Sequence, residues 1–169
     1  MDLRFLVTAT RARVYLLWAI LAPAGFVTTH FYQNHNVNYV WMGISLVGLG
    51  YMWRVMPLRV VQMRHIFLSW LVPIVAGIIF TGALFYLHEP WAGNAIAHLG
   101  AIWLGIMAIG YFLNGLADSP SSMYWFAVIL NAGFAVACLF DVFLPAQYLV
   151  AAIVSAWSML FLWLFRSDV

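Results

Sequence analysis

The sequence predicts an all-α bundle embedded in a membrane, built from about six transmembrane helices that form three helical hairpins with both termini on the cytoplasmic side. Three observations carry this prediction. Of the 169 residues, 66% are hydrophobic and only 7% are charged, whereas the surface of a water-soluble domain needs roughly a quarter charged residues. The apolar residues fall into runs long enough to cross about 30 Å of hydrocarbon, roughly 20 residues each. The seven basic residues, all of them arginine, sit on alternate turns only.

The first span is expected at 14–33, behind Arg4, Arg11 and Arg13. Its Ala22-Pro23-Ala24 is like the small-residue cleavage site of a signal peptide. The apolar run nevertheless continues through Gly25, Phe26 and Val27, as a retained spanning helix requires. Further spans are expected at 39–55, 66–87, 95–117, 122–143 and 147–165. The stretches between them are short and turn-like, so consecutive helices are antiparallel neighbours. Asp118-Ser119-Pro120-Ser121 reads as a helix stop followed by a capped start. The last hairpin is divided only by Asp141 and Pro145, because 123–165 is too long for one crossing. All of 1–169 is expected to be one integral membrane domain, at home in the inner membrane of a prokaryotic cell.

Orientation follows from the arginines, since loops rich in arginine and lysine stay in the cytoplasm. Arg4, Arg11 and Arg13 precede the first span, Arg54, Arg59 and Arg64 flank the second turn, and Arg166 follows the sixth span. The three opposite turns carry no arginine and hold His35, His88 and Glu89, with His30 close by at the end of the first span. A weak internal repetition supports an even number of spans. Trp18 with Ala24-Gly25 recurs as Trp70 with Ala76-Gly77 and as Trp125 with Ala132-Gly133, while Trp41-Met42-Gly43-Ile44 is echoed by Trp103-Leu104-Gly105-Ile106.

Lipid offers little hydrophobic gain to helices that are already buried, so close backbone approach at small residues must hold them together. Gly43, Gly48, Gly50, Gly77, Gly82, Ala101, Gly105, Ala108, Ala127, Ala135 and Cys138 are the candidates for contact faces. Trp41, Trp53, Trp91, Trp125 and Trp163 lie near predicted helix ends and read as interfacial anchors.

Polar side chains at membrane depth are expensive and therefore informative. Here they gather toward the outer side, which points to a site there. His98 shares a helical stripe with Ala101, Gly105 and Ala108 and so should face protein. His30 lies at a similar depth, and His88 stands beside Glu89. Imidazoles from several helices, with such a carboxylate, can hold haem iron or a transition metal. Asn131, in line with Ala127, Ala135 and Cys138, is expected to tie helices together, and with Asp141 it could mark a polar path. His65, beside Arg64, reads as an ordinary interfacial residue.

Several classes are excluded. The single cysteine, Cys138, forbids an internal disulfide or a thiolate metal cage within one chain. There is no GxxxxGK[ST] loop for a nucleotide, no dense basic patch for nucleic acid, and no ionisable group near the bilayer centre to couple an ion gradient. A metal- or haem-binding redox protein using His30, His98, His88 and Glu89 comes first among the remaining readings. A passive channel for a small solute comes second, and an accessory subunit or scaffold third. The expected partners are the lipid bilayer and another membrane protein or a second copy of the chain.

Overall fold

In the computed structural model of the chain, residues 3–32, 34, 36–87, 89–117 and 122–165 are described, with side chains from residue 9 onward. Among them all regular structure is helical: α1 (Leu3–Phe31), α2 (Val37–Val55), α3 (Val61–Leu84), α4 (Pro90–Ala97), α5 (Leu99–Ala117), α6 (Ser122–Ala137) and α7 (Gln147–Leu164). A short 3-10 turn, Leu144–Ala146, leads into α7. Among the described residues four segments, Ala9–Phe31, Val61–Leu84, Leu99–Ala117 and Leu144–Leu164, are long and apolar enough to cross a membrane. The helix α6 is apolar but shorter, at 16 residues. At 19 residues α2 matches α5 in length, but Asn38 and Arg54 interrupt its apolar run.

Two expected spans are corrected. The segment 95–117 is not one helix: α4 and α5 meet at His98, whose backbone (φ −105°, ψ 25°) leaves the helical region. The break is held from outside by Gln147 of α7. Its amide nitrogen donates to the carbonyl of Ala97 at 2.5 Å, and its oxygen accepts the backbone N–H of Gly100 at 2.9 Å. Backbone groups freed by the break are thus satisfied without water. The expected span 122–143 stops at Ala137, and the residues from Cys138 to Phe143 form successive turns with Asp141 exposed. A helix ending in Gly or polar residues is read easily from sequence, whereas this one ends inside apolar residues.

The helices form a closed ring in which α1 packs on α2, α2 on α3, α3 on α5, α5 on α6, α6 on α7 and α7 on α1, with α5 also reaching across to α7. Cross-contacts such as Gly25 with Trp41 and Gly48 with Trp18 show that α1 and α2 are antiparallel. Gly77 with Trp103 and Gly110 with Trp70 do the same for α3 and α5. The start of α1, the end of α2 and the start of α3 therefore share one end of the bundle, where Arg13, Arg54, Arg59 and Arg64 lie exposed. This is the basic end; the opposite one is called the far end below. Large apolar side chains such as Ile20, Leu46, Ile79 and Ile129 point outward, each more than half exposed, as a lipid-facing surface requires.

Helix pairs interlock by setting indoles onto glycines. A Cβ on Gly48 would overlap the Trp18 ring, and one on Gly25 would come within 2.8 Å of Trp41. The second hairpin repeats both contacts, with Gly110 under Trp70 at 2.7 Å and Gly77 under Trp103 at 3.0 Å. The repetition read from sequence is therefore a structural equivalence between α1–α2 and α3–α5, with α4 inserted in the second unit. Trp125 does not join it, being part exposed and set edge-on to Phe112. Among the expected contact glycines, Gly48 and Gly77 meet a neighbouring helix, while Gly43, Gly50, Gly82 and Gly105 have open space beside them.

Candidate functional site

The residues expected to hold a metal are distributed as follows. His30 lies in the last turn of α1, half-buried, with its ring edge-on to Phe31 at 5.1 Å. His98 sits half-buried at the α4–α5 break, and its Nδ1 has no hydrogen-bond partner among the described residues. Glu89 is exposed ahead of Pro90, and His88 lies outside the described residues, as does His35 of the α1–α2 turn. No group of three or more His, Cys, Asp and Glu side chains gathers among the described residues. Asp141 is exposed, away from the buried interior.

A different arrangement occupies the far end. Thr29, Asn34, Val37, Phe85, Ile96, Ala97, Leu99, Gln147 and Tyr148 enclose a cavity of about 130 Å³. Each wall has a local reason to be where it is. The α1–α2 turn is tightened by Asn34, whose side-chain oxygen accepts the N–H of Asn36 at 2.9 Å. Gln147 is fixed by its two bonds to the α4–α5 break. Thr29 folds back to the carbonyl of Gly25 at 2.8 Å. The cavity's polar groups are hydroxyls and amides, and none of its lining side chains is charged.

Beneath it four tryptophans converge. Trp18 and Trp41 from the first hairpin, and Trp70 and Trp103 from the second, line a chamber of about 30 Å³ together with Ala22, Phe26, Ser45, Ile74, Ile106, Met107 and Met159. Trp41 and Trp103 stack face to face, with centroids 5.1 Å apart and planes 8° from parallel. Phe26 meets Trp41 edge-on at 4.9 Å. Such aromatic pairs contribute about 0.5–1.5 kcal/mol each beyond area burial. Trp41 is 6% exposed, which corrects its reading as an interfacial anchor. Trp53 and Trp91, at 65% and 52% exposed, fit that role.

Pocket and chamber share one partition. Trp41 lines the chamber, Thr29 lines the pocket, and the Trp41 indole N–H donates to Thr29 Oγ1 at 2.9 Å. On the other side of the chamber lies a string of buried polar groups. Met159 of the chamber wall neighbours Ser158, which accepts a hydrogen bond from Asn131 at 2.8 Å. The buried Tyr111 hydroxyl has Ser158 and Tyr15 as polar neighbours but makes no hydrogen bond among the described residues, and Tyr15 is hydrogen-bonded to Tyr124 near the start of α6. These five contributors come from α1, α5, α6 and α7, and each is at most 4% exposed. Asn131 was legible in the sequence as a tie between helices. The tyrosines were not, since tyrosine is ordinarily interfacial. Depth was the available signal, because Tyr111 stands well inside α5.

Comparison with protein-family models, with curated proteins and with solved structures gives no match to this chain.

Proposed function

We propose that the protein is a passive facilitator for a small uncharged solute, crossing the membrane with six helices and keeping its basic end in the cytoplasm. The observation that carries this reading is the pocket and chamber placed one behind the other across the Thr29–Trp41 hydrogen bond. Neutral walls select a neutral passenger, because an ion leaving water needs a compensating charge that these linings lack. The chamber sets the size: a cavity of about 30 Å³ takes one to two water-sized groups. A solute of roughly one to three heavy atoms fits that space. The hydrogen-bonded pairs Asn131–Ser158 and Tyr15–Tyr124 place further amide and hydroxyl groups on the side of the chamber toward the basic end.

In this reading α2 and α6 cross the bilayer with the other four helices, since each fills a place in the ring between two of them. Arg13, Arg54, Arg59 and Arg64 then face the cytoplasm by the positive-inside tendency. Proteoliposomes containing the chain should pass water, ammonia or methanol severalfold faster than empty vesicles. Thr29→Val should change that rate by releasing the Trp41 indole. Flux equal to that of empty vesicles for all three solutes would remove the reading.

A haem- or metal-binding redox protein is the second reading, favoured by the unpartnered Nδ1 of His98. A Soret band, or metal in stoichiometric amount, in purified protein would move it to first place.

A further inference from the structure

The two hairpins agree in their indole-on-glycine contacts and differ in what lies beyond them at the basic end. One shift along the chain carries Trp18 and Gly25 onto Trp70 and Gly77, and a second carries Trp41 and Gly48 onto Trp103 and Gly110. The same shifts set Ser69 where the first hairpin has Leu17, and Ala117 where it has Val55. Past the Trp70–Gly110 contact, these smaller side chains leave room between α3 and α5.

That room is an open groove of about 440 Å³. Leu68 and Val72 of α3 form one wall, Leu113 and Leu116 of α5 the other, with Ser69 between them and His65 nearest the basic end. The groove opens to the outside of the bundle, where Val72 and Leu116 are each 60% exposed. Ser69 turns its hydroxyl back to the carbonyl of Ile66 at 2.8 Å, so the trough itself is apolar in character. From His65 to Val72 it runs about 10 Å along α3, most of the roughly 15 Å depth of one leaflet.

Its mouth is cationic. Arg64 stands one helical turn before Leu68 and two before Val72, on the groove side of α3. Helical side chains lean toward the N-terminus of their helix, which for α3 is the basic end, so the guanidinium is carried toward the membrane surface. Arg64 and His65 are both exposed. The described acids, Glu89 and Asp141, lie at the far end, so no described carboxylate competes for these donors; Asp118, after α5, lies outside the described residues.

We infer that this groove holds one acyl chain of an anionic phospholipid, whose phosphate is bound by Arg64 and His65. The trough suits a hydrocarbon chain, and the donors at its mouth stand where a phospholipid in that leaflet carries its headgroup. A free anion would leave the trough unused, and a wholly apolar molecule would leave the donors unused. Arginine grips a phosphate through two parallel hydrogen bonds, and the imidazole adds an N–H. Basic sites between helices on the cytoplasmic side attract anionic lipid for this reason. The inference needs the bilayer but not the passage of a solute, so it stands apart from the facilitator reading.

The test is native mass spectrometry of the full chain in nonionic detergent, titrated with dioleoyl phosphatidylglycerol or dioleoyl phosphatidylcholine. One phosphatidylglycerol should be retained per chain, at least fivefold more tightly than phosphatidylcholine. Arg64→Gln combined with His65→Gln should remove that preference. Glycerol 3-phosphate, which has the phosphate without the chains, should not displace the lipid. Ser69→Leu, which gives α3 the residue of the first hairpin, should weaken binding of both lipids; Leu116→Trp, at an exposed position, should do the same even if Ser69→Leu does not fold. Equal retention of the two lipids, a preference that survives loss of Arg64 and His65, displacement by glycerol 3-phosphate, or unchanged binding in Leu116→Trp would each overturn the site. Leu116→Cys should stay monomeric on oxidation in membranes. A disulfide-linked dimer would give the groove to a second copy of the chain and overturn the lipid site as well.

Discussion

Trp18 packs its ring against Gly48 and donates its indole N–H to the sulfur of Met52, one turn further along the same neighbouring helix, at 3.2 Å. A single side chain thereby fixes both the distance between α1 and α2 and their relative slide. Its counterpart on the second hairpin, Trp70 against Gly110, is braced instead by Tyr111, whose ring stands at 90° to it with centroids 4.9 Å apart.

The first prediction concerns these contacts. Gly48→Ala and Gly110→Ala should each destabilise the protein by about 1–3 kcal/mol, since the added methyl overlaps an indole that cannot retreat from a packed interior. Gly43→Ala and Gly133→Ala, with open space at both positions, should be neutral or stabilising by up to about 1 kcal/mol through helix propensity. Thermal unfolding in detergent checks both. Equal effects at all four positions would mean that the glycines serve only the helices they belong to.

A second prediction addresses the buried amide. Asn131 donates to Ser158 and to the carbonyl of Ala127, both at 2.8 Å. Within a membrane such a side-chain tie contributes about 0.6–1.7 kcal/mol. Asn131→Ala and Ser158→Ala should therefore each lower stability by that order, and the double variant should lose less than their combined effects. Full additivity in unfolding measurements would show that the two groups do not act together.

The third prediction uses the lone thiol. Cys138 is fully buried, so the unaltered chain should resist a membrane-impermeant maleimide. Asn36→Cys in the α1–α2 turn should react from outside intact cells, and Arg59→Cys in the α2–α3 turn only after the membrane is opened. Both positions are exposed. The reverse pattern would invert the orientation and with it the assignment of the pocket as an entrance.

Much of the helical plan was legible because apolar runs of spanning length, separated by short turns, mark the helices directly. The break at His98 was hidden, since what stabilises it is Gln147, far away in sequence, and no local pattern announces such a partner. Tryptophan was ambiguous for a different reason. The same indole suits an interface, as Trp53 shows, and a glycine groove, as Trp41 shows, and composition cannot separate the two. The deciding signal was the paired recurrence of tryptophan and glycine in both hairpins. Of the candidate site residues, Asn131 was placed correctly as buried glue, while the pocket's Thr29 and Gln147 stood in the sequence as two polar residues among many.

The indole-on-glycine contacts also bear on assembly. The α1–α2 and α3–α5 hairpins each carry their own pair of matched bumps and hollows, so a helix that slipped by one turn would set a ring against a bulkier neighbour and be pushed away. Register is thus settled inside each hairpin by shape, before any third helix arrives. The α1–α2 and α3–α5 units should lock before the rest of the chain has packed, leaving ring closure by α7 against α1 as the final event.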